Sequence, residues 1–330
     1  SYSFSEELQQ EWDWSERFSA QPEILEYANH VADRFDLRRG IEFSTTVTAA
    51  HFNEESQRWT VTTDKGESLA AQFCVMATGC ISAAQTPEFE GLADYRGTTY
   101  HTGNWPHEEI DFTGKRIAVI GTGSSAIQAI PVLAEQAEHV TVFQRTPNYS
   151  LPSRNGPMTE DYANSWKDNY AALREEQRHT PKGALGEFRN ISGIGAADDE
   201  RATAYEERWD RGGSALLGSY RDMLVDESVN ETAAEFVRDK IRTIVKDPQV
   251  AELLAAKGYP IGTKRICIDS GYFETFNRDN VALVDLNDTP IDRIPPNGLA
   301  TTGRSFDFDA IVFATGFDAM TGTLFKIDIQ

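Results

Sequence analysis

The feature that most constrains this chain is a short apolar run, Arg116-Ile117-Ala118-Val119-Ile120, that passes directly into Gly121-Thr122-Gly123-Ser124-Ser125-Ala126. An alanine-rich stretch from Ser125 to about Ala137 follows, and then a second apolar run, His139-Val140-Thr141-Val142-Phe143. Strand, glycine turn, helix and strand within about thirty residues form a βαβ unit, which requires a parallel sheet. Within such a unit Gly121 permits the tight turn, Gly123 the close approach of a diphosphate, and Ala126 the close packing of helix on strand. The first turn of the helix presents unpaired amides and a positive dipole end to an anion. The pattern therefore reads as a dinucleotide-binding turn.

The end of the second strand selects the dinucleotide. An acidic residue there would bond the ribose hydroxyls of NAD, whereas an arginine accommodates the additional phosphate of NADP. The sequence is Phe143-Gln144-Arg145-Thr146-Pro147, so Arg145 points to NADP, because a guanidinium makes paired charge-assisted bonds to phosphate. Taken alone, Arg145 would also suit a solvated surface.

Composition narrows the rest. A chain of 330 residues accommodates about two domains. With 31 basic and 52 acidic residues its formal charge is −21, which repels nucleic-acid phosphates and anionic lipid, so neither is an expected partner. The three cysteines, Cys74, Cys80 and Cys267, contain no CxxC pair; no metal site is expected, and a reducing cytoplasm fits. No apolar run is long enough to span a bilayer. Because the chain opens on Ser1-Tyr2-Ser3, it reads as a fragment of a longer enzyme.

Along the chain, Ile24, Leu25, Tyr27, Ala28, Val31, Ala32 and Phe35 form a helical stripe with Pro22 in its first turn. Ile41 to Phe52 and Arg58 to Thr63 alternate as strands around an Asn53–Ser56 turn, and Phe73 to Gly79 reads as a buried strand ending on glycine. Residues from about 158 to 257 are charged and helical, with helices expected at Asp161 to Gln177 and Asn230 to Val245. Strand character returns at Val281–Val284 and Ala310–Gly316.

Between the two strand blocks lies Tyr95-Arg96-Gly97-Thr98-Thr99-Tyr100-His101-Thr102-Gly103-Asn104-Trp105-Pro106. This closely resembles the F-x-G-x-x-x-H-x-x-x-W-P fingerprint of type I Baeyer–Villiger monooxygenases, of the flavin-containing monooxygenase superfamily, with Tyr95 in place of the usual Phe. The resemblance extends over essentially the whole chain, through Val142–Pro147, Gly262-Thr263-Lys264-Arg265, Phe276–Val281 and Ala314-Thr315-Gly316-Phe317-Asp318.

The resemblance implies an α/β chain of two dinucleotide-binding (Rossmann-like) domains: an incomplete FAD-binding domain over 1–82, an NADP-binding domain over 83–317 with a helical insertion at about 158–257, and a return to the FAD domain over 318–330. It implies NADPH and O2 as co-substrates, FAD as cofactor, a ketone as substrate, an ester or lactone as product by way of a flavin peroxide, and a monomeric full-length protein. In family members an arginine in the Gly262-Thr263-Lys264-Arg265 motif stabilises the developing oxyanion, which makes Arg265 the expected catalytic residue. Without that motif a salt bridge would be the plainer reading of Arg265.

For NADP the resemblance implies Gly121, Thr122, Gly123, Ser124, Ser125, Ala126 and Gln128 on the turn, with Arg145, Thr146 and Lys264 at the phosphate. For FAD it implies Val47 and the Ala77-Thr78-Gly79 turn. Tyr95, Gly97, His101, Trp105 and Pro106 are expected to organise the linker between domains; His101 is not expected to transfer a proton. Cys80 replaces a polar amide found beside flavin and substrate in the family, so the preferred ketone need not carry over. The family's FAD phosphate loop and an active-site aspartate would precede Ser1, and further pocket segments would follow Gln330.

Three other functions compete. N- or S-oxygenating flavin monooxygenases end a related fingerprint in Tyr or Phe where Trp105-Pro106 stands. A flavin disulfide reductase lacks its CxxC, and a non-catalytic NADP-binding redox sensor would leave the fingerprint and Arg265 without a task.

Overall fold

Five parallel strands in the order Thr98–His101, Ala310–Phe313, Arg116–Ile120, His139–Gln144 and Val281–Asp285 form the main sheet of the protein. The structure is a computed structural model that describes residues 4–180, 185, 186 and 188–330. Side chains alternate across this sheet, so each central strand is buried on both faces. Ile117 and Val119 face a core shared with the helices, whereas Ala118 and Ile120 join Phe143, Ile311 and Phe313 beneath a three-stranded antiparallel sheet, Ile291–Arg293, Gly298–Thr301 and Ser305–Asp307. The helix Ser124–Gln136 buries Ala126, Ile127, Ile130, Leu133 and Ala134, one stripe at helical spacing, against the first face.

The chain divides into two compact units. One comprises Val75–Ser153 and Phe188–Ile327 and contains the parallel sheet; the other comprises Ser1–Cys74, Arg154–Glu187 and Asp328–Gln330. In the latter, Val47–Asn53, Arg58–Thr63 and Ser68–Ala71 form an antiparallel meander, and Asp328–Ile329 adds in parallel to its first strand. The Asn53 side chain accepts the Ser56 N–H at 2.7 Å and closes the expected turn. Leu8, Tyr27 and Val31 pack the helices Glu6–Glu11 and Gln21–Arg34 against each other.

Four expectations are corrected. The Phe73–Gly79 run forms no strand, and Phe73 and Val75 are 79% and 85% exposed. Apolarity marks a segment that gains from burial, but a strand also needs a neighbouring ladder, and no described segment supplies one. The first meander strand begins at Val47 instead of Ile41, leaving Ile41 and Phe43 exposed. The helix expected over Asp161–Gln177 breaks into Glu160–Lys167 and Tyr170–Arg178, where the Asn169 side chain turns back to donate to the Ser165 carbonyl at 3.0 Å. These two helices, expected within the second domain, belong to the meander unit: Gln10 donates to the Lys167 carbonyl at 2.8 Å, and Lys167 pairs with Asp13. The remaining helices of the charged region, Asp198–Arg211, Glu227–Ile244 and Pro248–Leu254, belong to the unit with the parallel sheet.

Candidate functional site

The glycine turn leaves its strand as the sequence requires. Gly121 has φ +110°, and a Cβ there would lie 2.5 Å from the Ala314 carbonyl oxygen of the neighbouring chain segment. Gly121 is thus needed for the turn and also for the close approach of a backbone. At Gly123, by contrast, a Cβ would meet nothing within 4 Å: the space above the helix terminus is open. That helix has Gly123 as its N-cap and no capping side chain, so its first amides are left for an outside acceptor. Ser124 and Ser125 are exposed, and Gln128 folds back to donate to the Ser124 carbonyl at 3.0 Å. A bare helix start beneath open space fits a diphosphate.

Thr122 serves the loop itself. Its buried hydroxyl donates to the Thr146 carbonyl at 3.0 Å, and its carbonyl accepts from the Asn148 amide at 2.9 Å. These bonds tie the glycine turn to the segment carrying Arg145. Arg145 is exposed; its carbonyl accepts from Asn287 at 2.7 Å, while its guanidinium has no carboxylate partner among the described residues.

Lys264 and Arg265 lie on the approach to the short strand Cys267–Asp269, which pairs in parallel with Ser150–Pro152. A buried hydrogen bond of 2.6 Å from the Ser150 hydroxyl to the Asp269 carboxyl holds this pairing. Burial raises the Asp269 carboxyl above the ordinary range despite that bond, and burial with nearby Asp269 pushes the Cys267 thiol up as well. Lys264 places its ammonium 4.6 Å from the centre of the Tyr259 ring. Arg265 is exposed and has no acidic partner among the described residues.

The fingerprint residues form a staple. His101 Nδ1 accepts the Gly103 N–H at 2.9 Å, so the ring proton sits on Nε2, within reach of the Gln85 carbonyl at 3.1 Å and the Thr315 hydroxyl at 3.2 Å. The chain segments on either side meet there: Gln85 N–H donates to the Gly316 carbonyl at 3.0 Å, and Ala84 bridges Phe317. Both ring nitrogens of His101 are thus bonded locally. Tyr95 donates to the Phe308 carbonyl at 2.9 Å, and burial pushes its phenol up to about 12. Gly97 leaves room for that ring, since a Cβ would meet the Tyr95 hydroxyl at 2.3 Å. Trp105 packs at a tilt against Tyr100 and Phe112, their ring centres 5.4 and 6.1 Å away.

Of the residues expected at FAD, Val47 opens the meander's first strand, and Ala77-Thr78-Gly79 lies in the other unit as an irregular turn. Sequence reasoning missed Asn148 and Tyr259. Asn148 directly follows the Arg145–Pro147 motif, and Tyr259 lies five residues before Lys264 with no pattern of its own. Among the described residues no helix is long and apolar enough to cross a membrane.

The α/β architecture, the parallel sheet and the uncapped glycine turn define a dinucleotide-binding class of fold. The chain belongs to the pyridine nucleotide-disulphide oxidoreductase family, which it matches over residues 2–168. Its homologues include Baeyer–Villiger monooxygenases and a phenazine N-monooxygenase from Lysobacter antibioticus. It is 41% identical over 97% of its length to 2-oxo-Δ3-4,5,5-trimethylcyclopentenylacetyl-CoA monooxygenase from Pseudomonas putida, covering 60% of that protein. It is 40% identical over its whole length to a Baeyer–Villiger monooxygenase from Pseudooceanicola batsensis, again covering 60% of it. A solved structure of an oxidized steroid monooxygenase bound to NADP superposes with a TM-score of 0.96 at 52% identity, covering 100% of this chain and 63% of that one. The chain therefore spans about 60% of the length of the relatives it matches.

Proposed function

We propose that the full-length protein is a Baeyer–Villiger monooxygenase of the cytoplasm, using NADPH and O2 to convert ketones to esters or lactones. FAD, when bound, supplies the oxygen-transfer chemistry. The chain's own residues divide the remaining work. The amides opening the Ser124–Gln136 helix bind the diphosphate of NADPH, and Arg145 and Lys264 bind its 2′-phosphate. Val47 and Ala77–Gly79 line the flavin side, and His101 and Trp105 hold the linking segments in place. Arg265 supplies fixed positive charge for the oxyanion that develops on the substrate.

The observation that carries this reading is Arg265 itself. It stands exposed and without an acidic partner in a chain with 52 acidic and 31 basic residues, on the turn that also carries Lys264. The similarity to the Pseudooceanicola batsensis Baeyer–Villiger monooxygenase supports the same reading. The test is to follow NADPH oxidation by the full-length protein with and without a panel of cyclic and linear ketones, and to identify products by mass. Ester or lactone formation coupled to NADPH consumption is expected. Oxygenation of amines or sulfides alone, or no oxygenation of any substrate, would overturn the proposal.

A further inference from the structure

We infer that Tyr259 is the residue that sets the preference for NADPH over NADH, by fixing both phosphate-binding cations in one arrangement. The inference rests on the cofactor reading above. Tyr259 joins three otherwise separate parts of the site. Its hydroxyl donates to the Pro147 carbonyl at 2.7 Å, two residues beyond Arg145. It also lies 3.4 Å from the Asn148 amide oxygen, and Asn148 in turn donates to the Thr122 carbonyl of the glycine turn at 2.9 Å. The ring face carries the Lys264 ammonium at 4.6 Å. Arg145, Lys264 and the diphosphate turn are thus referred to a single side chain.

Tyr259 is itself well held. Its ring meets Tyr149 edge-on at 5.4 Å, and the Tyr149 hydroxyl donates to the Tyr259 carbonyl at 3.4 Å. Arg238 donates to that Tyr149 hydroxyl at 3.1 Å, tying the pair to the Glu227–Ile244 helix. Burial keeps the Tyr259 phenol protonated, its pKa pushed up to about 12, so it remains a donor at every working pH. A lysine on a flexible stem is a poor discriminator, because it loses rotamer freedom whenever it binds. Resting on an aromatic face beforehand removes part of that loss. NAD lacks the 2′-phosphate, so its binding does not draw on this preorganisation.

Two substitutions separate the functions of the side chain. Tyr259→Phe keeps the ring beneath Lys264 and removes the bonds to Pro147 and Asn148; Tyr259→Leu removes both. The measurement is equilibrium binding of NADP+ and of NAD+ to the full-length protein by calorimetry, together with kcat and KM for NADPH. Tyr259→Phe should weaken NADP+ by about 2- to 12-fold and Tyr259→Leu by about 10- to 50-fold, with NAD+ affinity held within about twofold. In a Lys264→Ala background, Tyr259→Leu should cost no more than Tyr259→Phe. Equal weakening of NADP+ and NAD+, or an undiminished Tyr259→Leu effect after removal of Lys264, would overturn the inference while leaving the cofactor assignment intact. An unsubstituted protein that binds both nucleotides equally would overturn the assignment and the inference together. Should Tyr259→Leu fail to fold, equal weakening of NADP+ and NAD+ by Tyr259→Phe still overturns the inference.

Discussion

Along the Glu227–Ile244 helix every cation near the middle meets carboxylates: Arg238 pairs with Glu231 and Glu235, Lys240 with Glu206 at 2.5 Å, and Arg242 with Glu235, Asp239 and Glu252 at 2.6–2.7 Å. In the same unit Arg145, Lys264 and Arg265 meet none among the described residues. The difference does not come from supply, since acidic residues outnumber basic ones 52 to 31. Cations without a carboxylate beside them are free to meet a negative charge that comes from outside. They also offset locally a net charge of −21 that would otherwise repel an anionic dinucleotide.

This contrast can be broken most decisively at Arg265. Arg265→Ala should leave stability within about 0.5 kcal/mol, as for an exposed side chain without partners. It should cost about 2.7–4 kcal/mol in the oxygenation step, so that NADPH is still consumed but hydrogen peroxide replaces ester. Product analysis with a peroxide assay checks this; ester formation at the parental rate would return Arg265 to the structural class.

Arg238→Ala tests the opposite side. It removes a buried guanidinium that also donates to Tyr149 and to the Ala256 carbonyl, and should lower stability by about 2–4 kcal/mol in denaturant unfolding. A loss confined to cofactor binding, with full stability, would show that paired and unpaired cations are not separate classes here.

At Arg145 the expected effect is smaller and selective. Losing one charged hydrogen bond costs about 1.5–3 kcal/mol, so Arg145→Ala should weaken NADPH binding by about 10- to 150-fold and leave NADH nearly unchanged. Equal losses for the two nucleotides would remove Arg145 from the phosphate.

The smallest effect sharpens the comparison from the acidic side. Asp269 is a buried carboxyl whose partners are the Ser150 hydroxyl and the Tyr272 N–H, with no cation beside it among the described residues. Its folded pKa lies above the unfolded value of about 3.9. The native state therefore holds the proton more tightly, and this group's contribution to stability is complete below that unfolded value and is lost as pH rises through the folded one. Asp269→Asn should flatten this part of the stability–pH curve and cost at most about 1 kcal/mol at neutral pH. Unfolding measured from pH 4 to 8 checks it, and a slope unchanged by the substitution would show that Asp269 is not the group responsible.

Much of the fold was legible because local and long-range signals agreed in the βαβ unit: apolar run, glycine turn and helical stripe all sit where the structure has them. They disagreed at Phe73–Gly79, where an equally apolar run ending on glycine finds no ladder. Pairing partners are a property of the whole chain and leave no mark on the run itself. The candidate site divides in the same way. Gly121, Gly123, Arg145, Lys264 and Arg265 belong to motifs with fixed spacing and could be named in advance. Tyr259 and Asn148 act through a carbonyl, an amide and a ring face, contacts that the fold creates and that impose no spacing.

The neighbours of the Arg116–Ile120 strand differ greatly in when they come into existence. His139–Gln144 emerges from the ribosome almost at once, but Ala310–Phe313, which pairs along the other edge, follows about 190 residues later, a delay of roughly 10–40 s at ordinary synthesis rates. For that interval an apolar central strand of the sheet has one open edge, the condition under which chains associate wrongly. Among the described residues Thr98–His101 pairs in the sheet only with Ala310–Phe313 and must wait equally long. Birth of this protein in the cell is therefore paced by its last sheet strand, and translation speed or chaperone supply across the helical stretch should govern the yield of active protein more than any step before it.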